Sequence, residues 1–181
     1  EVSEKVLEKM AYRDDPEGLI AVFEQPTYCL NDLVMNPHHN GTHNESAQGS
    51  MWLIGVGLAK PGNLGAMART AKAAGCAGMI AADAVVDPFN PNAIRASTGA
   101  VFSLPIVSAP ASEVIHWLTT NNIRTYAAAL TETAKPHTQV NWQGHVAIVI
   151  GAEDTGLNKQ WIQAASNPDS VIFTPHTFLP S

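Results

Sequence analysis

The residues Met51-Trp-Leu-Ile-Gly-Val56 form an apolar run of strand length, and Lys60-Pro-Gly-Asn-Leu-Gly65 follows at once. An alanine-rich stretch carrying one arginine, Arg69, then runs to Ala74 and meets Gly75. A strand that ends in a Pro/Gly/Asn loop and enters a helix is a strong constraint on the fold. It points backbone N–H groups and a fixed cation at one spot, a common way to hold an anionic or polar ligand. Asn63 is placed to cap the helix of residues 63–74, and Gly75 is a natural stop.

The same alternation continues along the chain. Residues 19–23, 78–82, 103–107, 123–130, 146–150 and 170–173 read as further strands, while residues 1–10, 111–120 and 157–165 carry helical spacing. Residues 88–99 are polar and turn-rich around a short helical piece, and residues 36–49 form a loop rich in His, Asn and Gly. Apolar strands alternating with helices predict an α/β fold, a parallel sheet flanked by helices on both faces. Ligands of such sheets bind at the carboxyl ends of the strands. The loop after residue 56 and a second glycine-acid loop, Ile150-Gly-Ala-Glu-Asp-Thr-Gly-Leu157, are both expected at that edge. Residues 1–50 are read as an N-terminal extension of helix, strand and polar loop packed on a main domain of residues 51–181.

Composition narrows the function classes. The chain has 181 residues, typical of one domain with a small appendage, and its 45% hydrophobic content suffices for a core. No apolar run reaches the roughly 18 residues that cross a membrane, and the charged amphipathic start has no signal-peptide core. Cys29 and Cys76 stand apart, as two free thiols in a reducing, cytoplasmic setting. The sequons at Asn40 and Asn44 are read as chance matches in a polar loop. Net charge is −6, yet nine of the sixteen acids precede residue 46 and none lies between Gln48 and Ala82. An acidic chain of this kind still presents one locally positive face around Lys60, Arg69 and Lys72.

Each candidate site has a plain structural reading beside the functional one. Gly62, Asn63 and Gly65 suit an ordinary strand-to-helix turn as well as close approach of a ligand. Arg69 is either a solvated side chain or a substrate clamp on a helix of small residues. Glu153 and Asp154 either complement a helix dipole or order a loop around a small cofactor. Residues 95–102, Arg-Ala-Ser-Thr-Gly-Ala-Val-Phe, are a helix end turning into a strand or a place of substrate approach. His38, His39 and His43 cluster without a fourth ligand at zinc spacing, so no metal site is expected. The four tryptophans, Trp52, Trp117, Trp142 and Trp161, are expected to pack rather than to stack on bases. Neither a phosphate-binding Gly-Lys-Ser/Thr loop nor a complete dinucleotide fingerprint is present.

Taken together, Asn63-Leu-Gly65, Arg69-Thr-Ala71 and Gly75 resemble motif 1 of the SpoU/TrmH-type RNA 2′-O-ribose methyltransferases, in the SPOUT class. Residues 150–157 resemble motif 2, and Ser97-Thr-Gly-Ala100 with Leu104-Pro-Ile106 resembles the segment between them. The likeness runs from about Trp52 to Pro175. It implies a C-terminal trefoil knot, a homodimer and S-adenosylmethionine held by the knot loops. The third motif of the family continues into a Ser-Leu-Asn run and a last helix. The present sequence has Val171-Ile-Phe-Thr-Pro175 and ends at Ser181, so the domain is expected to be truncated at its C-terminus.

The reaction implied by the resemblance moves a methyl group from S-adenosylmethionine to a ribose 2′-hydroxyl of tRNA or rRNA. Arg69 takes the central role, as an electrostatic clamp rather than a base, because a guanidinium stays protonated. Asn63 is expected to orient Arg69 or the ribose, and Glu153 to hold the second loop. Cofactor contacts are expected at Ala129, Leu130, Gly151, Gly156, Leu157, Thr174 and Pro175. RNA contacts are expected at Lys60, Arg69, Lys72, Arg95 and Ser97. The alternative is a catalytically silent RNA-binding or dimerisation module of the same fold.

Overall fold

A computed structural model describes residues 1–12, 18–35, 49–132, 134–164 and 171–173. In chain order it contains α1 (Glu4–Met10), α2 (Asp32–Met35), β1 (Met51–Val56), α3 (Pro61–Ala73), β2 (Gly78–Ala82), α4 (Pro91–Ala96), β3 (Ile106–Ala109), α5 (Ala111–Thr120), β4 (Arg124–Ala128), β5 (Lys135–Pro136), β6 (Val146–Ile150), α6 (Lys159–Ala164) and β7 (Val171–Phe173). A 3-10 turn, Ala100–Phe102, links α4 to β3. The strands form one seven-stranded sheet in the order β3-β2-β1-β6-β4-β7-β5, and every pair is parallel. The predicted parallel α/β architecture is therefore the observed one. Among the described residues no helix is long and apolar enough to cross a membrane.

β1 is apolar throughout because it lies between two strands and under helices on both faces. Its side chains alternate with the two-residue period of a strand. Trp52, Ile54 and Val56 join a core with Ile80, Val107, Val149, Val114 and Trp117 of α5, and Trp161 of α6. Leu53 joins the opposite core with Met79, Ile106, Leu104, and Leu64, Ala68 and Ala71 of α3. Trp52, Trp117 and Trp161 are all buried, with Trp52 and Trp117 edge-to-face at 5.6 Å, so these tryptophans do pack. Leu33 of α2 is buried in the first core, with Tyr28 and Leu30 against it.

Several local expectations need correction. Residues 19–23 are not a strand: they pair with no strand among the described residues, and Leu19 and Phe23 are 83% and 79% exposed. Apolar composition alone does not make a strand, which also needs a ladder partner, and residues 19–23 join neither edge strand of the sheet, β3 or β5. The apolar face of α1, with Val2, Val6 and Met10, is likewise exposed. α3 begins at Pro61, two residues earlier than expected, with Lys60 at the cap position. Proline is well suited to the first helical turn, so Asn63 lies inside the helix and caps nothing. The edge strand β5 was not anticipated, because two residues carry no periodicity. Residues 36–48, including His38, His39 and His43, lie outside the described residues.

The position of α3 depends on Gly65. A Cβ there would strike the carbonyl oxygen of Ala93 and would lie 2.7 Å from Ala96 Cβ and 2.8 Å from Ser97 N. The missing side chain lets α3 lie directly on the end of α4. Gly65→Ala is expected to lower stability by about 2 kcal/mol, the usual size of an overpacked contact against backbone, measured as a fall in the denaturation midpoint. Gly62→Ala, with open space at its Cβ, is the control and is expected to stay near the parent.

Candidate functional site

β1 and β6 are neighbours in register, with Gly55 beside Ile150, so the chain leaves both strands at the same edge of the sheet. After β1, Gly57 adopts φ +65°, and its N–H donates to Ala82 O at 2.8 Å. This left-handed step, easy for glycine, turns the chain off the sheet towards Lys60 and α3. After β6 the chain makes a tight loop in which Gly156 N–H donates to Ala152 O at 2.9 Å. Gly151 closes that loop by lacking a side chain. A Cβ would overlap the Gly156 carbonyl group and lie 2.6 Å from Leu157 N.

The two loops meet through side chains. Lys60 Nζ donates to Glu153 Oε2 at 2.7 Å, an ion pair between residues 93 positions apart. The Asn63 side chain also hydrogen-bonds Glu153. The hydrogen bond and charge of Lys60, then Asn63, hold the Glu153 carboxyl below the ordinary glutamate range. Glu153 in turn raises Lys60, by its hydrogen bond and then its charge. Glu153 does not serve the helix that follows it, since α6 starts only at Lys159. Its negative charge stands at the first turn of α3, which carries no acid of its own and has the positive end of a dipole there. A cavity of about 320 Å³ lies between the loops, lined by Gly57, Leu58, Ala59, Lys60, Asn63, Ala152, Glu153 and Asp154.

The expected site residues divide into those at this cavity and those away from it. Asn63, Lys60 and Glu153 are brought together at the cavity, and Gly151 closes the loop that carries Glu153. Lys60, expected to contact RNA, is exposed and is the ion partner of Glu153. Gly156 shapes the second loop, and Leu157 packs half-buried on the first core. Ala129 and Leu130 follow β4 beside β6 on the same edge. The Ala129 N–H is engaged by Ile172 O at 3.0 Å, and Leu130 is 86% exposed. Thr174 and Pro175 lie outside the described residues.

Arg69 does not line the cavity. It is exposed on α3 six residues beyond Asn63, about 9 Å further along the helix axis at its usual rise. Gly65, Arg69 and Lys72 follow helical spacing, so Arg69 and Lys72 continue the stripe that faces α4. Lys72 Nζ donates to Ser103 O at 3.2 Å, and Arg95 is exposed in the last turn of α4. Ser97 is corrected: it is fully buried, and its hydroxyl donates to Ile94 O at 2.7 Å, so it supports the α3–α4 contact and is not a surface contact. The Lys60–Asn63–Glu153 triad had no clear signal in sequence, because only the sheet register brings residues 60 and 153 together. Among the described residues no group of three or more His, Cys, Asp or Glu stands together as metal ligands would.

Comparison with known proteins agrees with this arrangement. The model of the SpoU rRNA Methylase family matches residues 50–173. The chain is 32% identical over 98 residues to the 23S rRNA (guanosine(2553)-2′-O)-methyltransferase RlmP of Bacillus subtilis (strain 168), covering 54% of this chain and 39% of that protein. It is 32% identical over 106 residues to the 23S rRNA (uridine(2479)-2′-O)-methyltransferase of Streptomyces viridochromogenes, covering 56% and 37%. The matches thus span well under half of these curated relatives. The crystal structure of an AdoMet-bound rRNA methyltransferase from Sinorhizobium meliloti superimposes with a TM-score of 0.81 at 26% identity, covering 99% of this chain and 63% of that one. With a family match across most of its length and the same parallel sheet, the chain belongs to the SpoU rRNA methylase family.

Proposed function

We propose that this chain is the catalytic domain of an S-adenosylmethionine-dependent RNA 2′-O-ribose methyltransferase acting on ribosomal RNA. The observation that carries the reading is the paired loop at the carboxyl ends of β1 and β6, closed across its mouth by Lys60 and Glu153. Its cavity is at the small end of the range of ligand sites. The edge also leaves apolar surface uncovered, at Leu130 after β4 and at the partly exposed Ile150 of β6. Backbone polar groups beside exposed apolar side chains fit a nucleoside-like cofactor, with Ala129, Leu130, Gly151 and Gly156 as the residues that would hold it. When bound, S-adenosylmethionine supplies a methyl group activated on a sulfonium.

The chain's own residues then divide the work. The Lys60–Glu153–Asn63 cluster fixes the distance between the two loops. Arg69 is the clamp on the RNA side. It stays protonated at any working pH and stabilises a phosphate and the negative charge that develops on the 2′-oxygen as its proton leaves. An RNA strand lying along α3 reaches both Arg69 and the mouth of the cavity. The trefoil knot and the homodimer implied by the family resemblance belong to the same proposal. The silent-module alternative has less support, because the related proteins are named as methyltransferases.

Arg69→Ala in the full-length protein is expected to lower methyl transfer about a hundredfold or more, as loss of a charge-stabilising donor does, while S-adenosylmethionine binds within about twofold of the parent. Transfer to a 23S rRNA transcript and calorimetry with the cofactor measure the two quantities. Near-normal transfer overturns the role given to Arg69.

Lys60→Ala is expected to weaken cofactor binding about two- to fivefold, the range of an exposed ion pair. The sign of its pH dependence follows from the two shifts. Glu153 is depressed, so its contribution is complete above the ordinary glutamate range and is lost as pH falls through the lowered value. Lys60 is raised, so its contribution is complete below the ordinary lysine range and is lost as pH rises through the raised value. The difference between parent and variant is therefore flat around neutrality and shrinks in strong acid, measured by calorimetry at about pH 8 and about pH 3.

A further inference from the structure

Phe102 ends the 3-10 turn that follows α4 and is 57% exposed, while its neighbours Val101 and Leu104 are buried. The chain reaches this arrangement through two consecutive residues in the left-handed region, Thr98 at φ +50° and Gly99 at φ +86°. A β-branched residue rarely adopts that conformation. The reversal tucks Ser97 under α3 and leaves Phe102 on the outside. Among the described residues the Phe102 ring has one aromatic neighbour, Phe89, with centroids 6.2 Å apart and the rings tilted by 37°.

The surroundings are cationic. Lys72 reaches across from α3 to the carbonyl of Ser103, next to Phe102. Arg69 shares the stripe with Lys72, and Arg95 is exposed on α4, which packs against α3 at Gly65. Between Gln48 and Ser112 the only acids are Asp83 and Asp87. Asp83 turns away to accept from Ala111 N at the start of α5, which packs on the opposite face of the sheet. Asp87 accepts from Phe89 N. An exposed aromatic ring next to Lys72, on a face that also carries Arg69 and Arg95, has the composition of single-stranded nucleic acid platforms: cations follow the backbone and a ring stacks a base.

We propose that Phe102 is a base-stacking residue, which holds an unpaired nucleotide of the RNA next to the cationic stripe of α3 and α4. The proposal rests on the RNA methyltransferase reading above and adds to it a contact that recognises a base rather than a phosphate. Trp52, Trp117 and Trp161 are buried and Trp142 packs against Tyr126, which leaves Phe102 to this task on the α3–α4 face.

The test compares Phe102→Ala, Phe102→Leu, Phe102→Tyr and Arg95→Ala in the full-length protein, by filter binding to an unmodified 23S rRNA transcript across a salt series. Phe102→Ala and Phe102→Leu are expected to bind about tenfold more weakly, within the effect of one stacked base, with an unchanged slope of affinity against salt. Phe102→Tyr is expected to bind like the parent. Arg95→Ala is expected to reduce the salt slope by about one, as loss of a phosphate contact does. The Leu variant keeps apolar volume, so the contrast of Leu with Tyr isolates the ring from any loss of packing. If the Leu and Tyr variants bind equally well, the proposal is overturned. It is also overturned if sedimentation shows that Phe102→Leu separates two copies of the chain and loses RNA only for that reason. A parent protein that binds no rRNA at all sinks the functional reading itself.

Discussion

The structure depends most on the parallel pairing of β1 with β6. Gly55 stands beside Ile150, so two loops nearly a hundred residues apart in sequence start from the same line. From that one register follow the contact of Lys60 with Glu153, the negative charge at the start of α3, and the cavity between the loops. Neither loop makes this site alone. Gly57 gives a sharp exit from the sheet, and Gly151 lets the second loop fold back on itself.

The same sheet divides the helices. α5 and α6 cover one face through Val114, Trp117 and Trp161, while α3 and α4 cover the other through small residues. Large side chains hold the first layer, and close backbone approach holds the second. That difference places helix α3, which follows the first loop, on glycine and alanine contacts, where its position is set to within the width of one methyl group.

Much of this was legible in the residues themselves. The strand-to-helix alternation carried the parallel sheet, because fully buried strands are apolar without interruption, as in β1 and β2. Helix α5 was readable from Val114, Ile115 and Leu118. Both loops were recognisable from their glycines. What the residues did not carry was anything that depends on a partner in space. Leu19 and Phe23 are apolar enough for a strand but join neither edge of the sheet. Ser97 is polar yet lies in the core, because its hydroxyl finds a carbonyl one turn back on α4. Asn63 has the chemistry of a cap, but Pro61 starts the helix earlier and leaves Asn63 to Glu153. Lys60 reads as a surface cation until the sheet register supplies its counter-ion.

The insertion of β6 between β1 and β4 also governs the order in which the molecule can be assembled. During synthesis β1, β2 and β3 emerge first and can pair with one another, while β4 has no neighbour among them. One side of β1 therefore stays an open edge until residues 146–150 arrive. Open apolar edges invite pairing with foreign strands, and contacts between distant residues form late. The edge where the two loops meet is thus among the last parts to exist, and a ribosome stalled before β6 would hold β1, β2 and β3 without the contact of Lys60 with Glu153.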